Sequence, residues 1–328
     1  MIFRPLTFAL AASAVGLAGL TATAADLTGP IVIDGSSTVY PISEAAGKAF
    51  QEENPGVRIT VGKRGTGGGF EQFTLGKTDI SDASRPIKVQ ELKAAQSSGI
   101  EFIELPIAYD GLTVVVNPSN TWLQQLTVDD LKKIFLADDP ARTWQDLDPS
   151  YPAMPIKIYA PGTDSGTFDY FKEVVAGKTG DIRSDMAVSE DDNILVTGVA
   201  GETGAIGFFG AAYYFENEDK LRAVPIVNSD GEPVLPSPST IEDGSYNPFS
   251  RPLFIYVSTA SLNKPQVREF VEFYLDEAPD LAEDVGYVRL PASVYDTARD
   301  NLDSRETGTD YLDQNMEKVH GPVTEVYN

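Results

Sequence analysis

The sequence contains no cysteine and a single histidine among its 328 residues. The lack of cysteine excludes disulfide bonds, thiol catalysis and the cysteine that carries the lipid of a bacterial lipoprotein. The one histidine, His320, lies close to the C-terminus. A zinc site of the usual His/Cys type and a serine nucleophile activated by histidine are therefore not expected. The scattered acidic pairs match no calcium-loop spacing.

Positive charge is also scarce, with 25 Lys and Arg against 49 Asp and Glu and a formal net charge of −24. This balance argues against nucleic acid or an anionic membrane surface as a partner, because both are polyanions. A protein this acidic also repels small anions at long range. An anion site would therefore have to act locally, through oriented dipoles and a few shielded cations.

A long apolar run occurs only at the N-terminus, where Arg4 precedes the stretch from Leu6 to Leu20 and then Ala22-Thr23-Ala24. This pattern predicts a signal peptide over residues 1–24 that is cleaved on export. An N-terminal membrane anchor is the alternative, although the run is short and ends in small residues. The mature chain is expected to be a soluble periplasmic protein and is long enough for two lobes.

Three short β runs end in loops rich in Gly, Ser and Thr, and a helical pattern follows each loop. The loops are Gly35-Ser36-Ser37-Thr38, residues 62–69, and Asp164-Ser165-Gly166-Thr167. Such a turn presents free backbone N–H groups and hydroxyls at the positive end of a helix dipole. In an open α/β sheet these loops gather at the carboxyl ends of the strands. Together they predict a site for a small anion.

The tetrad Asp164-Ser165-Gly166-Thr167 also matches the active site of an aspartic protease, which is an incompatible interpretation. That enzyme class needs a second Asp-Ser/Thr-Gly, in the same chain or in a homodimer, on an all-β fold. The chain has no second copy, and Phe168 and Phe171 begin a helical pattern. The glycine-rich loop 62–69 is neither a Walker A loop nor a complete G-x-G-x-x-G motif, because Phe70 occupies the place of the last glycine.

Strand and helix patterns alternate from residue 30 to about residue 275, which predicts an α/β fold with largely parallel sheets. A helix is predicted over Val128–Phe135, with Thr127 as its cap and Asp130 at the third position. A second helix is predicted over residues 267–275, where apolar residues recur at helical spacing. Residues 228–252 are rich in Pro, Ser, Gly and Asn and predict one long irregular loop.

Two extended apolar segments, residues 108–116 and 253–258, predict the connections between two lobes. With these crossovers, lobe one comprises residues 26–110 plus 258–328. Lobe two comprises residues 111–257.

Four ordered stretches carry a resemblance to a known family: DGSSTVYPIS (34–43), GKRGTGGGFEQF (62–73), TDISDASRPIK (78–88) and PGTDSGTFDYF (161–171). They resemble the phosphate-binding proteins of bacterial ABC transporters, in the branch with a Ser-Arg-Pro signature. Three later stretches, 126–135, 204–214 and 252–258, agree. The resemblance covers essentially the whole mature chain and implies a type II periplasmic binding protein fold. Its two α/β lobes, joined by two crossover strands, would close on dehydrated phosphate.

The resemblance also implies which residues bind the ligand. They are Ser37, Thr38, Thr66, Ser84, Arg85, Asp164, Ser165, Gly166, Thr167 and Asp82. The best-known members place an arginine four residues before Ser-Gly-Thr, where this chain has Pro161, so Arg85 is expected to supply the guanidinium. The carboxylate that accepts the phosphate proton is then Asp164, the first choice, or Asp82.

The expected function is capture of inorganic phosphate and its delivery to an inner-membrane ABC permease. The protein would act as a monomer, without catalytic residues, metal or cofactor, and without nucleic acid as a partner. Binding of another tetrahedral oxyanion, sulfate or arsenate, is one alternative, and scavenging without a dedicated permease is another. A periplasmic hydrolase is a third, less favoured alternative, because it would need a metal cluster or an activated nucleophile.

Overall fold

The computed structural model describes residues 27–163, 165–177, 179–189 and 191–327. The predicted signal peptide and Asp164 lie outside the described residues. The strands are β1 (Gly29–Gly35), β2 (Val57–Val61), β3 (Ile80–Ala83), β4 (Phe102–Val116), β5 (Lys157–Pro161), β6 (Ala187–Ser189), β7 (Ala205–Gly210), β8 (Arg222–Ala223), β9 (Ile226–Val227), β10 (Pro233–Val234) and β11 (Ser250–Ser258).

The α-helices alternate with these strands over most of the chain. They are α1 (Tyr40–Glu53), α2 (Thr66–Thr74), α3 (Val89–Ser97), α4 (Val128–Phe135), α5 (Trp144–Leu147), α6 (Gly166–Val175), α7 (Asp192–Gly201), α8 (Ala211–Phe215), α9 (Pro238–Glu242), α10 (Pro265–Asp284), α11 (Ala292–Ser304) and α12 (Val323–Val326). None of the helices described is both long enough and apolar enough to cross a membrane.

One continuous sheet carries the fold, in the order β2-β1-β3-β11-β4-β7-β5-β6, with β8 also paired to β4. Strand β1 runs parallel to β2 and β3, and β5 runs parallel to β6 and β7. Strands β4 and β11 run antiparallel to each other and to their outer neighbours. The alternating strand and helix patterns of the sequence therefore form the predicted α/β fold, with parallel strands in both halves.

Strand β4 passes from one half of the sheet to the other. It pairs with β11 from Phe102 to Gly111 and with β7 from Leu112 to Val116. All of its 15 residues are buried. Gly111 marks the change of partner, and a Cβ there would lie 2.6 Å from Ile241 Cδ1, so the glycine lets the Ile241 side chain of α9 pack closely on the strand. The exact lobe boundaries drawn from the sequence stay a prediction.

The prediction of an irregular loop over residues 228–252 is wrong in part. This segment includes β10, α9 and the first residues of β11. These short elements are stabilised by hydrogen bonds of polar side chains. The segment lacks the regular spacing of apolar residues from which helices and strands are predicted. Ser237 caps α9 by accepting from the Thr240 N–H at 3.1 Å, and Asn228 Oδ1 accepts from the Glu232 N–H at 3.0 Å.

The glycine-rich loop is shorter than its sequence predicts, because α2 begins at Thr66 and includes Gly67, Gly68 and Gly69. A Cβ on Gly69 would lie 2.5 Å from Gly35 Cα. The glycine thus lets the helix start lie directly on the end of β1. The turn itself is made at Gly65, whose φ is +82°.

Helix α4 has the predicted bounds and the predicted cap. Asp130 N donates to Thr127 Oγ1 at 3.0 Å, and Thr127 N donates to Asp130 Oδ2 at 3.1 Å. This reciprocal pair is a capping box, and Leu131 and Ile134 form the buried side of the helix. Helix α10 contains the predicted stripe and packs on α1, with the Phe50 and Phe270 rings 5.4 Å apart.

Candidate functional site

A cavity of about 250 Å³ lies where the two halves of the sheet meet. Its lining comes from loop residues 36–38, 65–67 and 84–85, from Asp169, Tyr170 and Glu173 of α6, and from Arg251 of β11. The loop residues follow β1, β2 and β3, the parallel strands of one half. Hydroxyl groups and two arginines therefore face one enclosed space.

The end of β1 sets the position of the first loop. Gly35 has a φ of +153°, and a Cβ there would lie 2.1 Å from the Asp82 carbonyl oxygen. Only glycine allows this close approach of β1 to β3. Ser36 N then donates to the Asp82 carbonyl at 2.9 Å, and Gly65 N donates to the Gly35 carbonyl at 2.7 Å. The three loops are thus joined by backbone bonds beneath the cavity.

Two hydroxyls from different loops contact each other at the cavity wall. Thr66 Oγ1 and Ser84 Oγ are 3.2 Å apart, and Ser84 N donates to Thr66 Oγ1 at 3.2 Å. Ser37 and Thr38 line the same cavity from the first loop. Four of the residues inferred from the family resemblance therefore come together here, with hydroxyls that can donate to an anion.

Arg251, which was not anticipated from the sequence, also lines the cavity. Its side chain is 15% exposed. It donates from Nη2 to Thr38 Oγ1 at 3.0 Å and lies over the Tyr170 ring at 3.6 Å from the centroid. A weaker contact of 3.4 Å joins Nη1 to Glu173. A planar guanidinium held in this way can present parallel N–H groups to an oxyanion.

Asp110 is the direct cross-strand neighbour of Arg251, on β4 and β11 respectively. Arg251 Nε contacts Asp110 Oδ2 at 3.3 Å, while Asp110 Oδ1 is buried without a hydrogen-bond partner among the described residues. Burial raises the pKa of Asp110, and the neighbouring guanidinium opposes part of that rise. Asp110 does not line the cavity itself, but it contacts Arg251, which does, and its second carboxylate oxygen needs a hydrogen-bond donor.

Arg85 also lines the cavity, but its guanidinium is largely engaged elsewhere. Nη1 and Nη2 donate to the two carboxylate oxygens of Glu91 at 2.9 and 2.7 Å, and Nη1 also donates to the Pro86 carbonyl. Three of its five N–H groups are thus used within its own segment. The guanidinium also lies 5.7 Å from the centre of the Phe70 ring.

The start of α6 contributes less to the cavity than expected. Ser165 caps the helix by accepting from the Thr167 N–H at 3.2 Å, and neither residue is among the described lining residues. Gly166 is the first residue of α6. The contact across the cavity comes from the next turn, where Asp169 Oδ2 accepts from Ser37 Oγ at 3.1 Å.

Asp82 lies beneath the loops and does not line the cavity. It is fully buried, and Oδ1 accepts from Ser43 Oγ of α1 at 3.0 Å. Ser43 in turn contacts the Tyr274 hydroxyl at 2.8 Å. Burial raises the pKa of Asp82 to about 8, the Ser43 bond counteracts this, and nearby Asp34 adds to the rise. Asp82 Oδ2 is buried without a hydrogen-bond partner among the described residues, so the role of Asp82 as proton acceptor stays a prediction.

Two sequence signals could have pointed to Arg251 and Asp110. Asp110 is a charged residue within the apolar run 108–116, and Arg251 lies immediately before the second apolar segment. A buried charge rarely lacks a partner, so each of these residues predicts an oppositely charged residue nearby. Their pairing across 141 residues could not be inferred from spacing alone.

Known proteins resemble this chain over most of its length. The sequence matches the family described as "PBP superfamily domain" over residues 20–278. Protein SphX of Synechococcus elongatus is 49% identical over 288 residues, which are 87% of this chain and 85% of that protein. The phosphate-binding protein PstS of Staphylococcus saprophyticus is 41% identical over 276 residues, 84% of this chain and 85% of that protein. A crystal structure titled as a possible phosphate binding protein from Planctomyces limnophilus is 44% identical and has a TM-score of 0.83, covering 85% of this chain and 99% of that chain.

Proposed function

Because this chain belongs to the phosphate-binding proteins of the PBP superfamily and has their type II periplasmic binding fold, we propose that it captures inorganic phosphate for an ABC permease. The PstS relative and the Planctomyces structure are named for binding phosphate, so the proposal contains no catalytic step. Export with cleavage of residues 1–24, a periplasmic location and a monomeric state belong to the same proposal. Export and the periplasmic location are supported by the sequence pattern of the N-terminus and by the lack of a lipid-attachment cysteine.

The observation that carries the proposal is the placing of Arg251 among hydroxyls in the cavity between the halves of the sheet. Arg251 already donates to Thr38, and Ser37, Thr66 and Ser84 line the same space. Hydroxyls, backbone N–H groups and a guanidinium are the donors that a tetrahedral oxyanion needs once it leaves water. We assign these five residues to the phosphate site, with Arg85 at its edge.

Phosphate is distinguished from sulfate, in this proposal, by Asp110. At neutral pH phosphate still carries a proton, whereas sulfate carries none. A buried carboxylate accepts a hydrogen bond from the protonated oxygen of phosphate. Sulfate has no such proton, so the carboxylate and sulfate repel each other as two negative charges. Asp110 Oδ1 is buried and lacks a partner among the described residues. The two candidates from the sequence stay open: Asp82, whose Oδ2 also lacks a partner among the described residues, and Asp164, which lies outside them.

Calorimetry of the mature protein against phosphate, sulfate and arsenate tests the proposal directly. Phosphate should bind, should raise the melting temperature through ligand linkage and should compact the protein in small-angle scattering. Sulfate at the same concentrations should produce neither shift. Equal responses to sulfate and phosphate would refute phosphate specificity, and no response to either would refute the proposed site.

The delivery step needs a separate test, because binding alone does not distinguish transport from scavenging. Phosphate uptake should require the permease and ATPase subunits encoded with this protein, if such genes lie beside its own. Uptake that is unchanged after deletion of those genes would favour scavenging without a dedicated permease.

A further inference from the structure

A second cavity, of about 220 Å³, lies beside the first, and Arg85 lines both. Its walls come from two segments that are far apart in sequence, residues 85–88 and residues 311–321, together with Pro252 at the edge. This second cavity has no part in the proposed capture of phosphate.

The charge of the second cavity is opposite to that of the whole protein. Four of its ten lining residues are basic, namely Arg85, Lys88, Lys318 and His320, and none of the described lining residues is acidic. The full chain has 49 acidic residues against 25 Lys and Arg. Since Glu91 is paired with Arg85, Lys318 is the lining cation on which the proposal below depends.

The inner wall of the cavity is apolar. Ile87 and Val319 contribute aliphatic side chains, and Tyr311 is buried. The Tyr311 hydroxyl is buried without a hydrogen-bond partner in the described part of the chain. An apolar body with a few polar groups at its rim is the usual composition of a small-molecule site.

The basic wall is held by an ordered hairpin. Val319 N donates to the Tyr311 carbonyl at 3.0 Å, which closes the hairpin at its base. Asp313 Oδ1 accepts from the backbone N–H groups of Asn315 at 2.8 Å and Glu317 at 2.7 Å, which fixes its turn. Lys318 is therefore presented by a structured segment.

We propose that this second cavity binds a small organic anion, a carboxylate attached to an apolar body. The apolar body would lie against Ile87 and Val319, and the carboxylate would face Lys318 and His320 at the rim. Apolar contact and charge are both required, because the rim cations are exposed and an ion pair in water contributes little alone. Inorganic anions without an apolar part should bind weakly or not at all.

The experiment uses three probes on the mature protein in saturating inorganic phosphate, which keeps the first cavity filled. The probes are 3-phenylpropionate, its uncharged primary amide and acetate, followed by NMR chemical-shift titration. We expect 3-phenylpropionate to bind at least tenfold more tightly than the amide or acetate, with shifts at Tyr311, Val319 and Ile87. Equal affinity of the acid and the amide overturns the proposal, as does the absence of binding. Binding of 3-phenylpropionate that is seen only when phosphate is omitted also overturns it, because the probe would then occupy the first cavity.

A charge-reversal pair locates the site. Lys318→Glu should weaken 3-phenylpropionate binding at least tenfold. Lys77→Glu is the matched control, since it changes net charge equally at an exposed lysine that does not line the cavity, and it should leave binding unchanged. Val319→Phe fills the cavity without changing charge and should also reduce binding. Unchanged affinity in Lys318→Glu, or an equal loss in Lys77→Glu, overturns the assignment.

Discussion

Replacing Arg251 should weaken phosphate binding more than replacing Arg85. Arg251 is mostly buried and contacts Thr38 at 3.0 Å and Asp110 at 3.3 Å, whereas Arg85 is held by Glu91. Removing one partner of a buried charge pair costs roughly 2–5 kcal/mol. At about 1.4 kcal/mol per factor of ten, Arg251→Ala should raise the phosphate Kd by roughly 30-fold to several thousand-fold.

Arg251→Lys separates the charge of the side chain from its shape. Lysine keeps a cation opposite Asp110 but loses the planar fork that gives two parallel hydrogen bonds. Its phosphate Kd should therefore lie between that of the wild type and that of Arg251→Ala. Arg251→Ala also leaves Asp110 buried without its cation, which lowers the free energy of unfolding. Melting curves should be recorded for each variant, so that lost folding is not mistaken for lost binding.

Arg64→Ala is the control, since Arg64 pairs with Asp34, is 65% exposed and does not line the cavity. Isothermal titration calorimetry of the wild type and the four variants decides the question. A wild-type Kd in folded Arg251→Ala would show that Arg251 is structural. A larger loss in Arg85→Ala than in Arg251→Ala would restore the assignment made from the family motif.

Three further substitutions test other parts of the structure. Asp110→Asn should lower the ratio of phosphate to sulfate affinity in calorimetry, because the amide adds a donor, and an unchanged ratio would place the discriminating group elsewhere. Ser37→Ala removes the bond to Asp169 across the cavity and should raise the phosphate Kd about fivefold, the effect of one hydrogen bond, while Ser97→Ala on α3 should not. Burial raises the pKa of Glu104 from 4.5 to about 7, so the folded state retains a proton that the unfolded chain releases. The free energy of unfolding should then fall by roughly 3 kcal/mol between about pH 4.5 and pH 7, and urea titrations of Glu104→Gln should lack this part of the fall.

Local signals in the sequence predicted the elements whose formation depends on near neighbours. The α4 helix has its apolar side and its capping box within nine residues, so both its bounds and its cap are confirmed. The short α9 helix, Pro238–Glu242, was missed because its cap consists of polar residues inside a polar segment. Its formation depends on packing of Ile241 against β4, which the local sequence does not reveal.

In the candidate site, too, the residues that were predicted correctly depend on local sequence patterns, and those that were missed depend on contacts between distant segments. Thr38, Thr66 and Ser84 come from loops after parallel strands, and such loops meet at one edge of a sheet whatever the details of packing. Asp82 lies two residues before Ser84 in the chain, but its side chain is fully buried and accepts from Ser43 of α1. A motif match places a residue in the right segment without saying how deeply its side chain is buried.

The charge of the protein and the charge of its proposed ligand are compatible because the two act over different distances. At physiological salt a charge is screened within about 8 Å, so most of the net charge of −24 has little effect in the cavity. Even nearby, Arg251 is balanced by Asp110 and Glu173, which leaves no surplus of fixed positive charge. Affinity for an anion must therefore come from directed hydrogen bonds, donated by the Arg251 guanidinium, the hydroxyls and backbone N–H groups, and not from a surplus of positive charge. A site of this kind favours an anion that also donates a hydrogen bond, because its carboxylate can accept that bond. A site made only of positive charges would have no such acceptor.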